Sequence, residues 1–118
     1  MKSNKIFYFL ILIFYVGCFQ PPAIFYWGNY STSLYEYKKN PDDKTLATHK
    51  KALLDIIAKS PQKRMQVPPG IYAEYGFMLM KEGKVEEGQE YFNKEISLYP
   101  ESKVFIQRLK DELARGNK

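Results

Sequence analysis

Pro21-Pro22, Asn40-Pro41, Pro68-Pro69-Gly70, Gly83 and Pro100 cut the chain into short intervals. Proline has no N–H to donate and clashes with the preceding turn, so no regular element can run through these points. Within each interval apolar residues recur at helical spacing. Trp27, Tyr30, Leu34 and Tyr37 fall at i, i+3, i+7 and i+10, which predicts a helix over 27–38. Asn40 is a cap candidate, Pro41 suits a first helical position, and Asp42-Asp43 face the positive end of the dipole. The second helix is expected to run to about residue 58, with Leu46, Leu53, Leu54, Ile57 and Ala58 inward. Lys50, Lys51 and Lys59 point outward, and His49 reads as a surface residue beside the lysines. Residues 60–67 form a polar connection. Pro68-Pro69-Gly70 starts a third helix that buries Ile71, Tyr72, Tyr75, Met78 and Leu79 and closes at Gly83 with a left-handed cap. A fourth over 85–98 buries Val85, Tyr91, Phe92 and Ile96, and a fifth after Pro100 places Val104, Phe105, Leu109 and Leu113 on one side. About five helices with short connections and no convincing strand make an all-α chain.

The N-terminus carries an address. Lys2 and Lys5 precede an apolar run over 6–17, followed by Cys18. A spanning helix needs about 20 apolar residues, and this run ends sooner, so it reads as a cleaved export signal. Tyr15-Val16-Gly17-Cys18 resembles the lipobox of bacterial lipoproteins, with Tyr15 where leucine is usual. That resemblance implies a diacylated, palmitate-bearing Cys18 as the mature N-terminus. The expected organisation is a signal peptide over 1–17, a lipidated tether over 18–25 and a helical domain over 26–118. Cys18 is the single cysteine, which excludes an intramolecular disulfide and a cysteine-based metal site.

Removal of the signal lowers the formal charge from +5 to +3. The remaining lysines alternate with acids, as in Lys38-Lys39 before Asp42-Asp43 and Lys84 before Glu86-Glu87. This is the pattern of a solvated helix surface, and it argues against a nucleic-acid partner. Aromatic residues are abundant, with ten Tyr, eight Phe and one Trp. Tyr26, Trp27, Tyr30, Tyr35 and Tyr37 form the densest group in the domain and are the candidate partner-binding residues. Trp27 and Tyr30 lie on the apolar stripe and serve a core equally well, whereas Tyr35 lies off it.

The third and fourth helices resemble a tetratricopeptide repeat. Tyr72 stands at the tryptophan position, Gly76 and Gly88 at the small-residue positions, Gly83 at the turn, and Phe92 and Pro100 at the last two marks. Leu79 and Glu95 depart from the pattern, which has tyrosine and alanine there. A lone repeat cannot bury its apolar face, so the flanking helices are expected to cap it.

Longer blocks carry a more specific resemblance. Tyr26-Trp27-Gly28-Asn29-Tyr30-Ser31, the stretch Ser33-Leu34-Tyr35-Glu36-Tyr37-Lys38-Lys39-Asn40-Pro41, the block from Val67 to Gly76 and Leu98-Tyr99-Pro100-Glu101-Ser102 are similar to one small Gram-negative lipoprotein family. It is catalogued as domain of unknown function 4810. The resemblance implies an envelope lipoprotein with tetratricopeptide-like helical hairpins and no established activity. Its members tend to be encoded beside two other lipoproteins, one related to the curli secretion channel, which implies a shared envelope complex. Phe19 after the cysteine lacks the aspartate of inner-membrane retention, so an outer-membrane anchor facing the periplasm is expected by resemblance.

Chemistry-bearing motifs are missing. His49 is the only histidine, and no nucleophile-elbow or phosphate-loop spacing occurs. Asp42, Asp43 and Asp55 do not converge in sequence as metal ligands. The sequence therefore leads to a non-enzymatic adaptor without cofactor, metal or small-molecule substrate, held to the membrane by lipid and partnered by other envelope lipoproteins. The alternative is a lipoprotein that binds a small ligand or cell-wall fragment, for which no convergent polar pocket is marked.

Overall fold

The computed structural model describes residues 22–116. The signal over 1–17, Cys18 and the first part of the tether lie outside them. Five α-helices and no strand occur among the described residues: α1 (Tyr30–Lys39), α2 (Asp43–Gln62), α3 (Ile71–Lys81), α4 (Val85–Leu98) and α5 (Lys103–Gly116). A 3₁₀ turn over Pro100–Ser102 leads into α5. Phe25 and Gln66 form one isolated parallel bridge that ties the N-terminal segment to the α2–α3 connection. None of these helices is long and apolar enough to cross a membrane.

The caps explain most of the boundaries. Asp42, rather than Asn40, caps α2: its side chain accepts from the Thr45 N–H at 2.8 Å, and the Thr45 hydroxyl accepts from the Asp42 N–H at 3.2 Å. This reciprocal capping box leaves Pro41 outside the helix. At the other end α2 runs on through Pro61 to Gln62. A proline in the last turn removes one intrahelical bond, to the Ile57 carbonyl, and the buried Ser60 hydroxyl beside it donates to the Ile56 carbonyl at 2.7 Å. α3 ends in a Schellman motif, with Lys84 N–H donating to the Leu79 carbonyl and Gly83 N–H to that of Met80. Gly83 sits at φ +83, which a residue without Cβ adopts at little cost.

α1 and α2 form one antiparallel hairpin, and α3 and α4 form a second. α3 is the central element. Its sequence is apolar on nearly every side, and Ile71, Ala73, Tyr75, Gly76 and Leu79 are all buried. One face joins Leu53, Ile56 and Val67 in a core shared with α2. The other joins Phe92 of α4 and Ile106 of α5 in a second cluster.

The inward faces of the flanking helices are rotated from the sequence expectation. α2 buries His49, Ala52, Leu53, Ile56 and Ser60, while Leu54 and Ala58 lie outside. Val85 and Val104 are exposed at the first turns of α4 and α5, and Ile106 supplies the buried apolar contact of α5. The apolar stripes are broad, and in α2 the hydrogen bonds made by His49 select the face that turns inward.

The second hairpin depends on two glycines. A Cβ at Gly76 would lie 2.8 Å from the Gly88 carbonyl oxygen, and one at Gly88 would lie 2.6 Å from the Gly76 carbonyl oxygen. Backbone meets backbone there, so the contact cannot relax by a side-chain rotation. Glycine to alanine in an exposed helix gains about 1 kcal/mol of propensity, whereas overpacking a closed contact costs about 1–3 kcal/mol. Gly88→Ala is therefore expected to lower stability, by about 1–2 kcal/mol in urea unfolding; an unchanged or raised midpoint would contradict this packing.

Candidate functional site: an apolar groove beside a buried polar hub

No Cα of α1 lies within 8 Å of a Cα of α3, although both helices pack on α2 or its neighbours. The gap is a groove. Its deeper chamber, about 430 Å³, lies between Leu34 and Tyr37 of α1, Leu46 of α2, and Phe77 and Met78 of α3. A second chamber of about 410 Å³ shares Leu34, Glu74 and Phe77 with the first and continues to Trp27, Phe105 and Leu109. Three helices, α1, α3 and α5, thus line one trench with residues at helical spacing, and α2 adds Leu46. On α3 the stripe is Glu74, Phe77, Met78 and Lys81, at i, i+3, i+4 and i+7.

A polar hub forms part of the groove floor. Glu74 is a charged residue in the middle of an otherwise apolar helix, and its two oxygens are both engaged. The Tyr30 hydroxyl donates to Oε2 at 2.8 Å, and His49 Nε2 stands 2.9 Å from Oε1. An ionised carboxylate only accepts, which places a proton on Nε2. His49 Nδ1 is in turn 2.8 Å from Ser33 Oγ, which also lies 3.0 Å from the Tyr30 carbonyl. The His49 ring is fully buried, stacked on Tyr37 at 6.2 Å and tilted against Tyr30 at 5.4 Å. The surface position expected for this histidine is therefore corrected: its four polar and aromatic neighbours, Ser33, Glu74, Tyr30 and Tyr37, draw it inward between α1 and α3. Burial, followed by the Glu74 carboxylate it faces, pushes the Tyr30 phenol up to about 12.

Serine, histidine and glutamate in a row invite comparison with a catalytic triad. Here serine meets Nδ1 and the acid meets Nε2, and Ser33 is itself buried on the inner side of α1. No substrate carbonyl can approach that hydroxyl without displacing the helix, so the contacts act as cohesion.

Glu74 is half-buried, and the fully buried acid is Glu95, at the position where the repeat pattern has alanine. Its Oε1 accepts from the Gly70 N–H at 2.8 Å and from the Ser102 hydroxyl at 3.2 Å. Gly70 has no side chain to cap α3, so Glu95 supplies the acceptor from α4 at the positive end of the helix dipole. Tyr99 adds a bond from its hydroxyl to the Val67 carbonyl at 2.7 Å. These contacts fix the entry to α3 and with it the groove wall.

The family model for a domain of unknown function, DUF4810, matches residues 24–109. The chain belongs to this family. No curated protein and no solved structure matches it significantly. The DUF4810 region contains every residue that lines the groove and all of the hub.

The five aromatics singled out in sequence divide into two sets. Trp27, Tyr30 and Tyr37 line the groove or its floor. Tyr26 packs against the core shared by α2 and α3, and its hydroxyl donates to Asp55 Oδ2 at 3.0 Å beside the Lys63 ammonium. Tyr35 is 62 % exposed on the far side of α1. Cys18 lies outside the described residues. Phe77, Phe105, Lys38 and Lys81 complete the groove and were not foreseen as site residues. Their spacing was visible, but period alone does not distinguish a stripe that meets a neighbour from one that faces a gap. Among the described residues no group of His, Cys, Asp and Glu could hold a metal ion.

Ser33→Ala leaves buried Nδ1 without a partner, which costs about 1–3 kcal/mol against a few tenths gained in helix propensity. A fall of about 1–2 kcal/mol in unfolding free energy is expected, and a neutral result would show the Ser33–His49 contact to be incidental. Tyr30 adds a dependence on pH. Its folded value lies above the usual 10, so the unfolded chain releases that proton first as pH rises. The contribution is complete below pH 10 and is lost between 10 and about 12. Melting temperatures should thus fall across that window, and Tyr30→Phe should flatten part of the fall. Tyr72, Tyr75, Tyr91 and Tyr99, whose phenols burial also raises, account for the remainder.

Proposed function

We propose that this DUF4810 protein is a lipid-anchored adaptor of a cell-envelope complex, and that the α1–α3–α5 groove receives an amphipathic helix or extended segment of another envelope protein. The observation that carries the reading is the groove itself: two apolar chambers that run into one another over three helices. An elongated trench suits a chain better than a compact ligand, and a tetratricopeptide-like pair of hairpins gives it a concave face. Its charges favour an acidic flank on the partner. Glu74 is occupied by Tyr30 and His49, and Glu82 by Lys50 at 2.6 Å and Lys84 at 3.5 Å. Lys38 and Lys81 at the rim have no carboxylate within 4 Å among the described residues.

Lipidation of Cys18 and an outer-membrane, periplasm-facing position follow from the sequence resemblance and complete the proposal. The partner is sought first among the envelope lipoproteins with which the family is associated, including the one related to the curli secretion channel. In this reading no step is catalysed and no cofactor is required.

The test is affinity purification from native membranes in mild detergent, followed by mass spectrometry. Wild type is compared with Cys18→Ala and with the groove variants Phe105→Ser and Lys38→Glu/Lys81→Glu. Loss of a true anchor costs 2 kcal/mol or more, so a partner should be retained about 30-fold less well by Phe105→Ser. Recovery of the same lipoprotein by wild type and both groove variants would exclude the groove as the docking site. A protein that purifies alone despite confirmed lipidation would exclude the adaptor.

A further inference from the structure

We infer that a surface adjoining the outer end of the groove at Trp27, formed by Ile24, Trp27, Lys63 and Arg64, lies against anionic phospholipid headgroups and fixes how the domain stands on the membrane. The inference rests on the reading of Cys18 as the lipid anchor. It starts from distance. Ile24 lies six positions after Cys18, and a fully extended chain covers at most about 3.6 Å per residue, so its Cα stays within ~22 Å of that of the anchoring cysteine. Ile24 is 77 % exposed and Trp27 is 44 % exposed, an unusual pair of apolar residues to leave in water beside a tether. Trp27 packs edge-on against Phe25 at 6.3 Å, so the two form one aromatic ledge.

The α2–α3 connection places positive charge beside this ledge. The Phe25–Gln66 bridge joins the two segments, and the Lys63 ammonium lies 5.1 Å from the Tyr26 ring centroid. Between Asp55 and Glu74 the sequence contains Lys59, Lys63 and Arg64 and no acid. Lys59 is paired with Asp55 at 2.8 Å, whereas Lys63 and Arg64 have no carboxylate within 4 Å among the described residues. Exposed apolar side chains flanked by free cations match the interface of an anionic bilayer, where tryptophan rings sit at headgroup depth.

Arg64 adds an independent reason. Its N–H donates to the Pro61 carbonyl and that of Met65 to the Ser60 carbonyl, a Schellman motif in which Arg64 takes the left-handed position at φ +57. Glycine is the residue that fits this conformation without penalty, as Gly83 does at the equivalent place after α3. The fold alone favours glycine at 64. The chain carries an arginine there, strained and exposed, at the edge nearest the tether.

Trp27 is the chain's one tryptophan, which makes it the probe. The lipidated protein is purified from membranes, its N-terminal peptide is checked by mass spectrometry for the diacylglyceryl group, and it is reconstituted alone into vesicles. The vesicles are phosphatidylcholine with or without phosphatidylglycerol, with bromine on the acyl chains near the headgroups. Trp27 emission is expected to be quenched, and protected from acrylamide, more strongly with phosphatidylglycerol present. Each basic residue near such a surface shifts the equilibrium between lying on the bilayer and standing off it by about fivefold. Lys63→Glu/Arg64→Gly should therefore restore much of the emission. Arg64→Gly alone should weaken quenching while raising the melting temperature, a combination that loss of folding cannot produce. Emission that ignores bromine in both compositions, with the lipid mass confirmed, overturns the membrane face and leaves the anchor standing. Quenching that is equal in both compositions and in all variants also overturns it, since the anchor alone would suffice. Absence of the lipid mass overturns the anchor reading and this inference with it.

Discussion

α3 imposes the constraint from which the rest of the architecture follows. An α-helix with apolar side chains around its circumference is unstable in water until each side is covered, and no single neighbour can cover it. α2 takes one flank through Leu53 and Ile56, and α4 takes another through the glycine contact that lets the two backbones touch. α5 reaches part of the remainder with Ile106. The side toward α1 is closed only across its middle, where Tyr30 reaches Glu74, and the groove is what remains open. In this sense the candidate site is the uncovered part of a core.

One fully buried acid and one half-buried acid would seem wrong in so small an interior, yet each has a structural task. Glu95 stands in for the cap that Gly70 cannot provide. Glu74 accepts from two elements at once and ties α1, α2 and α3 through Tyr30 and His49. Burying a carboxylate is costly unless its oxygens are satisfied, and Glu74 meets that condition on both oxygens. Glu95 meets it on one, and its Oε2 has no partner among the described residues. Such contacts add less net stability than apolar burial does, but they fix register: a helix turned by one residue would lose them all.

Much of the fold was legible because its punctuation is local. Gly83, Pro100 and the Pro68-Pro69-Gly70 start act within a few residues of themselves, so the ends of α3 and the whole of α4 follow from the sequence. Asp42 displaced Asn40 as a cap because the threonine three residues on completes a box, a pairing within reach of sequence reasoning. The burial of His49 was not. Its position on α2 fits either face, and the partners that draw it inward, Ser33 and Glu74, lie 16 and 25 residues away. Glu95 was visible as a departure from a pattern without its meaning, since Gly70 lies 25 residues before it. The groove residues failed for another reason. Met78 and Leu34 read as core from their spacing, and only the separation of α1 from α3 shows that their stripes face a gap.

The Tyr30–Glu74 contact is the one hydrogen bond that α1 makes directly to α3 among the described residues. It crosses the trench from one wall to the other, while α1 is held along its length by α2, through Ser33 and Tyr37 on His49. Rigidity is thus unevenly divided: one side of the trench is set by backbone contact at Gly76 and Gly88, the other by side chains alone, Tyr30 on Glu74 and Ser33 and Tyr37 on His49.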